Sequence, residues 1–162
     1  MRKITLILLL ILGFATGCSN DDDKSLINSS IVIDGITFKP NKAVYSYNPA
    51  TFEAQKKVRF KISNERKQEY LYVDISFPAY QKDLTGEYSF GIGTAEDLLV
   101  MVEFYAPDKR YYVVGYSLKI IDKGNSNFSF EFVSPEAYDG INNKKVSFKG
   151  ELNGKFEIEK NQ

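Results

Sequence analysis

The sequence predicts an all-β domain: an antiparallel β-sandwich of about nine or ten short strands, with a closed lipocalin-like β-barrel as the alternative. Three observations predict it. Apolar and polar residues alternate at period two in one segment after another, and no apolar stretch after the first eighteen residues holds a helical period for three turns. The chain carries 11 Tyr and 12 Phe beside its Val and Ile, residues that suit a pleated, half-buried surface. Turn-forming Asp, Asn and Gly recur between the alternating segments.

Asp34-Gly35 separates Ile31-Val32-Ile33 from Ile36-Thr37-Phe38. A type I′ turn needs positive φ at both central residues, and Asp-Gly supplies them. Ile33 then faces Ile36, and Ile31 faces Phe38. Lys42 to Tyr47 reads as a further short strand. Next, Val58, Phe60 and Ile62 alternate with Lys57, Arg59 and Lys61. Leu71, Val73, Ile75 and Phe77 alternate with Tyr70, Tyr72, Asp74 and Ser76. Bringing the two apolar rows together sets Ile62 opposite Leu71 and leaves Glu65 to Gln68 as the loop. The same register sets Arg59 opposite Asp74 and Lys61 opposite Tyr72. The exposed ion pair is worth about 0.2–1 kcal/mol.

Glu87 to Phe90 is a short strand closed by Gly91-Ile92-Gly93-Thr94, which lacks the Lys and third Gly of a phosphate loop. Leu98, Val100, Val102 and Phe104 form one inward row. Ala106 to Lys109 turns the chain, and Tyr112, Val114, Tyr116, Leu118 and Ile120 return as a second row with Phe104 opposite Tyr112. Asp122 to Ser126 is a turn before Phe128, Phe130 and Phe132. Ser134 to Asn143 holds a turn or a short helix. The last hairpin joins Val146–Glu151 to Lys155–Glu159 around Leu152-Asn153-Gly154, with Glu151 facing Lys155 and Lys149 facing Glu157.

The N-terminus is different in kind. Met1-Arg2-Lys3 precedes an apolar run from Ile4 to Leu12 and the small residues before Cys18. That run is less than half of the roughly 20 residues a membrane span needs, so it reads as a cleavable secretory signal. Cys18 is the only cysteine, which excludes an intramolecular disulfide. Ala15-Thr16-Gly17-Cys18 resembles the lipobox of bacterial lipoproteins, with Ala15 where Leu is usual. That resemblance implies a diacylglycerol on the Cys18 thiol, cleavage before Cys18 and anchorage to a membrane through palmitate-type acyl chains, two or more of which anchor stably. Asp21, Asp22 and Asp23 repel one another and read as a solvated tether. The run also resembles the acidic export signal of surface lipoproteins of the Bacteroidota, which implies the outer membrane with the domain at the cell surface; the alternative is a periplasm-facing anchor. The organisation is therefore 1–17 signal peptide, 18–29 lipidated cysteine and tether, and 30–160 a single β-rich domain.

Composition restricts the chemistry. The full chain has no net charge, and loss of Arg2 and Lys3 with the signal leaves it near −2, so no basic surface is expected for nucleic acid. The chain has no His and no Trp. A Ser-His-Asp arrangement is impossible, and acylation consumes the one thiol, so neither a cysteine nucleophile nor a His/Cys metal site is expected. No cofactor is expected. Asp122 to Asn127 and Asp139 to Asn143 gather oxygen ligands without EF-hand spacing, and Asp, Asn and Gly are also what turns require. The remaining candidates for recognition are aromatic. Tyr70 and Tyr72 lie on the polar face of their strand, and Tyr45 and Tyr47 share one face of another; such rings can stack on a glycan or anchor an envelope protein. The expected function is a non-catalytic binding, scaffold or accessory lipoprotein. The alternative is a carrier of a small apolar ligand in a barrel lined by Phe128, Phe130, Phe132, Tyr112 and Tyr116. A carboxylate-based hydrolase stands third.

Overall fold

The computed structural model describes residues 27–48 and 54–159; the signal segment, Cys18, Asp21, Asp22 and Asp23 lie outside the described residues. Strands make up 63% of the described residues, and none of those residues is helical. In chain order the strands are β1 (Ile27–Ser29), β2 (Val32–Ile33), β3 (Ile36–Thr37), β4 (Lys42–Asn48), β5 (Gln55–Asn64), β6 (Glu69–Pro78), β7 (Gly86–Phe90) and β8 (Leu99–Ala106). They continue with β9 (Lys109–Val114), β10 (Ser117–Asp122), β11 (Asn127–Val133), β12 (Glu136–Asp139), β13 (Lys145–Val146), β14 (Phe148–Lys149), β15 (Glu151–Lys155) and β16 (Glu157–Ile158). The count exceeds the expected nine or ten because expected strands are divided, Tyr112–Ile120 between β9 and β10 and Val146–Glu151 among β13, β14 and β15, and because β1 and β12 form in segments expected to be tether and turn or helix.

The main sheet runs β1-β15-β11-β10-β7-β8-β6-β5-β4-β16, and β9, β12 and β13 branch from β8. A small sheet, β14-β2-β3, lies beside it. The β7–β8 and β16–β4 pairs are parallel, unlike the antiparallel pairing expected throughout. The sheet curls. Only Phe156 separates β15 from β16, yet β15 pairs with β11 and β16 pairs with β4, so one short stretch of chain touches both margins of the sheet.

Two early expectations hold at residue level. Ile33 pairs with Ile36 around Asp34 (φ 48°) and Gly35 (φ 77°), and the Phe38 amide donates to the Ile31 carbonyl at 2.9 Å. In β5–β6, Ile62 pairs with Leu71, Lys61 with Tyr72 and Arg59 with Asp74. The inward rows Val58, Phe60, Ile62 and Leu71, Val73, Ile75, Phe77 are all buried.

The core is dominated by rings. Phe60 on β5 lies 5.1 Å from Phe128 and 5.0 Å from Phe130 on β11, and 5.4 Å from Phe156, all edge-on. Because β5 and β11 are far apart in the strand order, these contacts cross the interior from one wall to the other. Each such pair adds about 0.5–1.5 kcal/mol beyond its buried area.

Three expectations are corrected. First, Glu151–Lys155 is one unbroken strand, not the turn of a terminal hairpin. Leu152 is buried opposite Phe130, and both edges of β15 are paired, by β1 and β11. Two non-local ladders and a buried Leu outweigh the local turn preference of Asn153-Gly154. Second, Phe104 faces Tyr111, not Tyr112, because only Pro107 and Asp108 form the loop. Tyr111 and Val113 therefore point inward, and Tyr112, Val114 and Tyr116 point out. The ladder itself continues in one register from Ser117↔Val133 to Glu136↔Val114. It bends at Gly115, where a Cβ would lie 3.1 Å from the Val133 carbonyl oxygen, opposite Ser134 (φ 49°) and Pro135. Beyond that bend the inward parity is reversed, which breaks the single row expected from Tyr112 to Ile120. Third, residues 134–143 hold the strand β12 as well as the expected turn, and Ile27–Ser29, expected in the tether, form β1.

At the rim, Asp34 Oδ2 accepts hydrogen bonds from Lys109 Nζ (3.0 Å) and Tyr111 Oη (2.8 Å). These two bonds, Lys109 first, hold the Asp34 carboxyl below its usual pKa. A depressed carboxyl stabilises the fold above its unfolded pKa of roughly 3.9, and that stabilisation is lost as pH falls through the lower folded value. Asp34→Asn keeps a residue tolerant of positive φ and removes the charge. The variant is expected to melt below the parent at pH 7, with the gap closing on acidification below about pH 4. A gap that persists unchanged at pH 2.5 would contradict the assignment.

Candidate functional site

The outward face of β6, β8 and β9 gathers tyrosines and arginines. Its rows follow from the registers: Tyr70–Tyr105–Arg110 is one, and Lys61–Tyr72–Glu103–Tyr112–Tyr138 runs across five strands as the next. Period two puts every one of these residues on the side opposite the buried rows.

The tyrosines are held in place. Tyr70 and Tyr72 stack at 6.4 Å between centroids with 19° between planes, and Tyr105 meets Tyr72 edge-on at 5.7 Å. Tyr105 Oη donates to Glu103 Oε2 at 2.9 Å, and Arg110 Nη2 donates to Glu103 Oε1 at 2.6 Å. The Arg110 guanidinium lies 5.1 Å from the Tyr105 ring centre and 4.7 Å from that of Tyr112. On the other flank, Arg59 makes a two-pronged pair with Asp74, Nε to Oδ1 at 2.6 Å and Nη2 to Oδ2 at 2.7 Å, and sits 5.7 Å from the Tyr72 ring centre. Lys61 lies 5.6 Å from the Tyr70 ring centre. The carboxylates raise the pKa of both guanidiniums further, and burial, then the bond to Glu103, raises that of the Tyr105 phenol. Arg59 and Arg110 therefore stay charged, and the Tyr105 phenol neutral, across the physiological pH range.

Between these groups lies an open depression of about 530 Å³ bounded by Arg59, Gln68, Tyr70, Tyr72, Glu103 and Tyr105, with Ala106 and Pro107 at its rim. Gln68 (φ 55°) is the last residue of the β5–β6 loop, and Pro107 opens the β8–β9 loop. The Arg59–Asp74 pair is half exposed on the Arg side, so a double-mutant cycle is expected to return a coupling of about 0.5–1 kcal/mol. A coupling above about 2 kcal/mol would mean the pair is desolvated more than its exposure indicates.

Of the four tyrosines expected at a binding surface, two converge here. Tyr45 does not reach the surface: it is 6% exposed, packs on Phe60 and Phe128 at 5.7 and 5.3 Å, and its hydroxyl meets Ser126 Oγ at 3.1 Å. Tyr47, two residues on, is 49% exposed and touches Tyr45 edge-on at 5.9 Å, away from the depression. The sequence reading missed Tyr105, Glu103 and Arg110. Tyr105 and Glu103 were legible as the polar alternates of the Leu98–Phe104 row; Arg110 was hidden by the one-residue register error.

The acidic turns act as turns. Asp122 Oδ1 accepts from the Gly124 amide at 2.9 Å, and Asp139 Oδ1 accepts from the Ile141 and Asn142 amides at 2.8 and 3.0 Å. Among the described residues no three His, Cys, Asp or Glu side chains converge as a metal site, and no helix is long and apolar enough to cross a membrane. Comparison with family models, with curated proteins and with solved structures finds no match to this chain.

Proposed function

We propose that the chain is a lipoprotein anchored through Cys18 to the outer membrane, exposed at the cell surface, and that its β domain is a non-catalytic binding, scaffold or accessory module. The observation that carries the reading is the fixed Tyr70–Tyr72–Tyr105 platform with Arg59 and Arg110 against its rings. Tyr and Arg are the residues that dominate recognition surfaces. Rings already held by Glu103, Asp74 and two guanidiniums lose little freedom on binding.

The geometry also suits an anchor at Cys18. Ile27 pairs with Gly154, which pairs with Phe128 beside the Asp122–Asn127 turn, so Ile27 lies at that end of the sheet. Gly86 lies near the same end, and β8 runs parallel to β7 and finishes at Ala106. The depression thus lies toward the far end of the sheet. Nine residues from Cys18 to Ile27 span at most about 30 Å, so an anchored domain would hold the tyrosines away from the bilayer.

We read the meeting of both sheet margins at residues 151–158 as barrel-like closure, in preference to a sandwich of two separate sheets. The carrier reading ranks below the binding module for a specific reason. Phe128 and Phe130 are in ring contact with Phe60 and Phe156, and Tyr112 and Tyr116 face solvent, so these residues do not frame an inner cavity.

Crosslinking in detergent-solubilised envelope tests the module. Capture of a specific component by the parent chain, reduced at least tenfold by a Tyr70→Ala/Tyr72→Ala chain that keeps its melting temperature, supports it. Identical capture by both chains removes the tyrosine face from the account.

A further inference from the structure

We propose that the depression between Gln68, Tyr70, Tyr72, Glu103 and Tyr105 binds a neutral oligosaccharide; the proposal deepens, and rests on, the binding-module reading of the same surface. Three features select this chemistry. The first is charge. Arg59, the one cation lining the depression among the described residues, is matched by Asp74 within 2.7 Å, and Arg110, outside the lining, by Glu103 at 2.6 Å; Lys61, against Tyr70, also lies outside the lining. A site that neutralises its own cations offers little to a phosphate or a polyanion, whose recognition needs free guanidinium.

The second feature is the mixture of surfaces. A pyranose presents flat C–H faces beside equatorial hydroxyls. The depression supplies half-buried rings of Tyr70, Tyr72 and Tyr105 next to groups that both donate and accept: the Gln68 amide and the phenols. Neither the Tyr70 nor the Tyr72 hydroxyl has a hydrogen-bond partner among the described residues, whereas the Tyr105 hydroxyl is committed to Glu103. Two phenols therefore remain for a ligand, and the third fixes the platform. The chain has no Trp, so tyrosine carries all the stacking.

The third feature is size and access. About 530 Å³ falls within the usual range for a small-molecule site and suits two to three sugar units. The depression is open to solvent, which leaves room for a longer chain.

The test is calorimetric titration of the full chain in detergent micelles with neutral gluco-, manno-, galacto- and xylo-tetrasaccharides. At least one is expected to bind with a dissociation constant between about 10 μM and 1 mM. Tyr72→Ala is expected to weaken it at least tenfold, and Tyr72→Phe, which keeps the ring, by about two- to threefold. Tyr80→Ala, at a 74% exposed tyrosine two residues beyond the other end of β6, is expected to leave it unchanged. Each variant is checked for an unaltered melting temperature. Failure of every sugar, or equal binding by Tyr72→Ala, overturns the proposal. So does tighter, salt-sensitive binding of a sulfated or uronic oligosaccharide. If no sugar binds but a proline-rich peptide does so in a Tyr72-dependent way, the sugar is wrong and the module stands. If no sugar, peptide or envelope component depends on Tyr72, both fall together.

Discussion

Phe60→Ala is expected to lower stability by about 3–5 kcal/mol. The ring is fully buried and touches Tyr45, Phe128, Phe130 and Phe156 at centroid distances of 5.0 to 5.7 Å. Its neighbours belong to both walls of the curled sheet, so neither wall can close over the void without moving the other. The cavity penalty is then added in full to the lost transfer energy. Equilibrium urea unfolding should show the midpoint falling with an unchanged slope. Tyr112→Ala, on the outer face of β9 against Arg110, is the contrast and should cost no more than about 1 kcal/mol. A loss below about 1.5 kcal/mol for Phe60→Ala would mean that the two walls are not in contact through this ring.

Gly150→Ala is the second large effect, with an expected cost of roughly 2–5 kcal/mol. Gly150 has φ +125°, and a Cβ there would lie 2.5 Å from the Ser30 carbonyl oxygen and 2.6 Å from the Ile31 Cα. These are backbone atoms and cannot step aside as a side-chain tip can. The glycine sits where the chain from Ile27 to Ile33 passes the chain from Phe148 to Gly154, in one register from Ile27↔Gly154 to Phe148↔Ile33. At the crossing the Ser30 amide donates to the Glu151 carbonyl at 3.0 Å, and the Glu151 amide donates to Ser30 Oγ at 3.0 Å. Alanine would push the two strands apart there. The expected signature is local as well as global: amides of β1 and β2 should lose hydrogen-exchange protection before those of β5 and β6. Wild-type protection at Ile27–Ile33 in the variant would contradict the close approach.

Local chemistry made half of this fold legible. Asp34-Gly35 announced its turn because few other dipeptides accept positive φ twice. The β5–β6 register followed because a slip of one would have turned Val58, Phe60 and Ile62 outward, and the Arg59–Asp74 pairing came with it. What escaped was non-local. Asn153-Gly154 looks like a hairpin turn, and only the distant partners Ile27 and Phe128 explain its place inside a strand. Tyr112 lost its face to a bend at Gly115 whose partner, Pro135, lies twenty residues on. The site divided along the same line. Tyr70 and Tyr72 were found from alternation within one strand. Tyr45 and Tyr47 also alternate correctly, but whether the opposite wall covers such a face depends on the curl, and it covers Tyr45.

In the proposed arrangement a lipid on Cys18 holds the domain to a bilayer with the tyrosine platform facing away. The most direct test is the mass of the N-terminal peptide released from envelope-purified protein. The expected product begins at Cys18 and carries a diacylglycerol on sulfur. A chain that retains residues 1–17, or one whose Cys18 thiol is free, would contradict it.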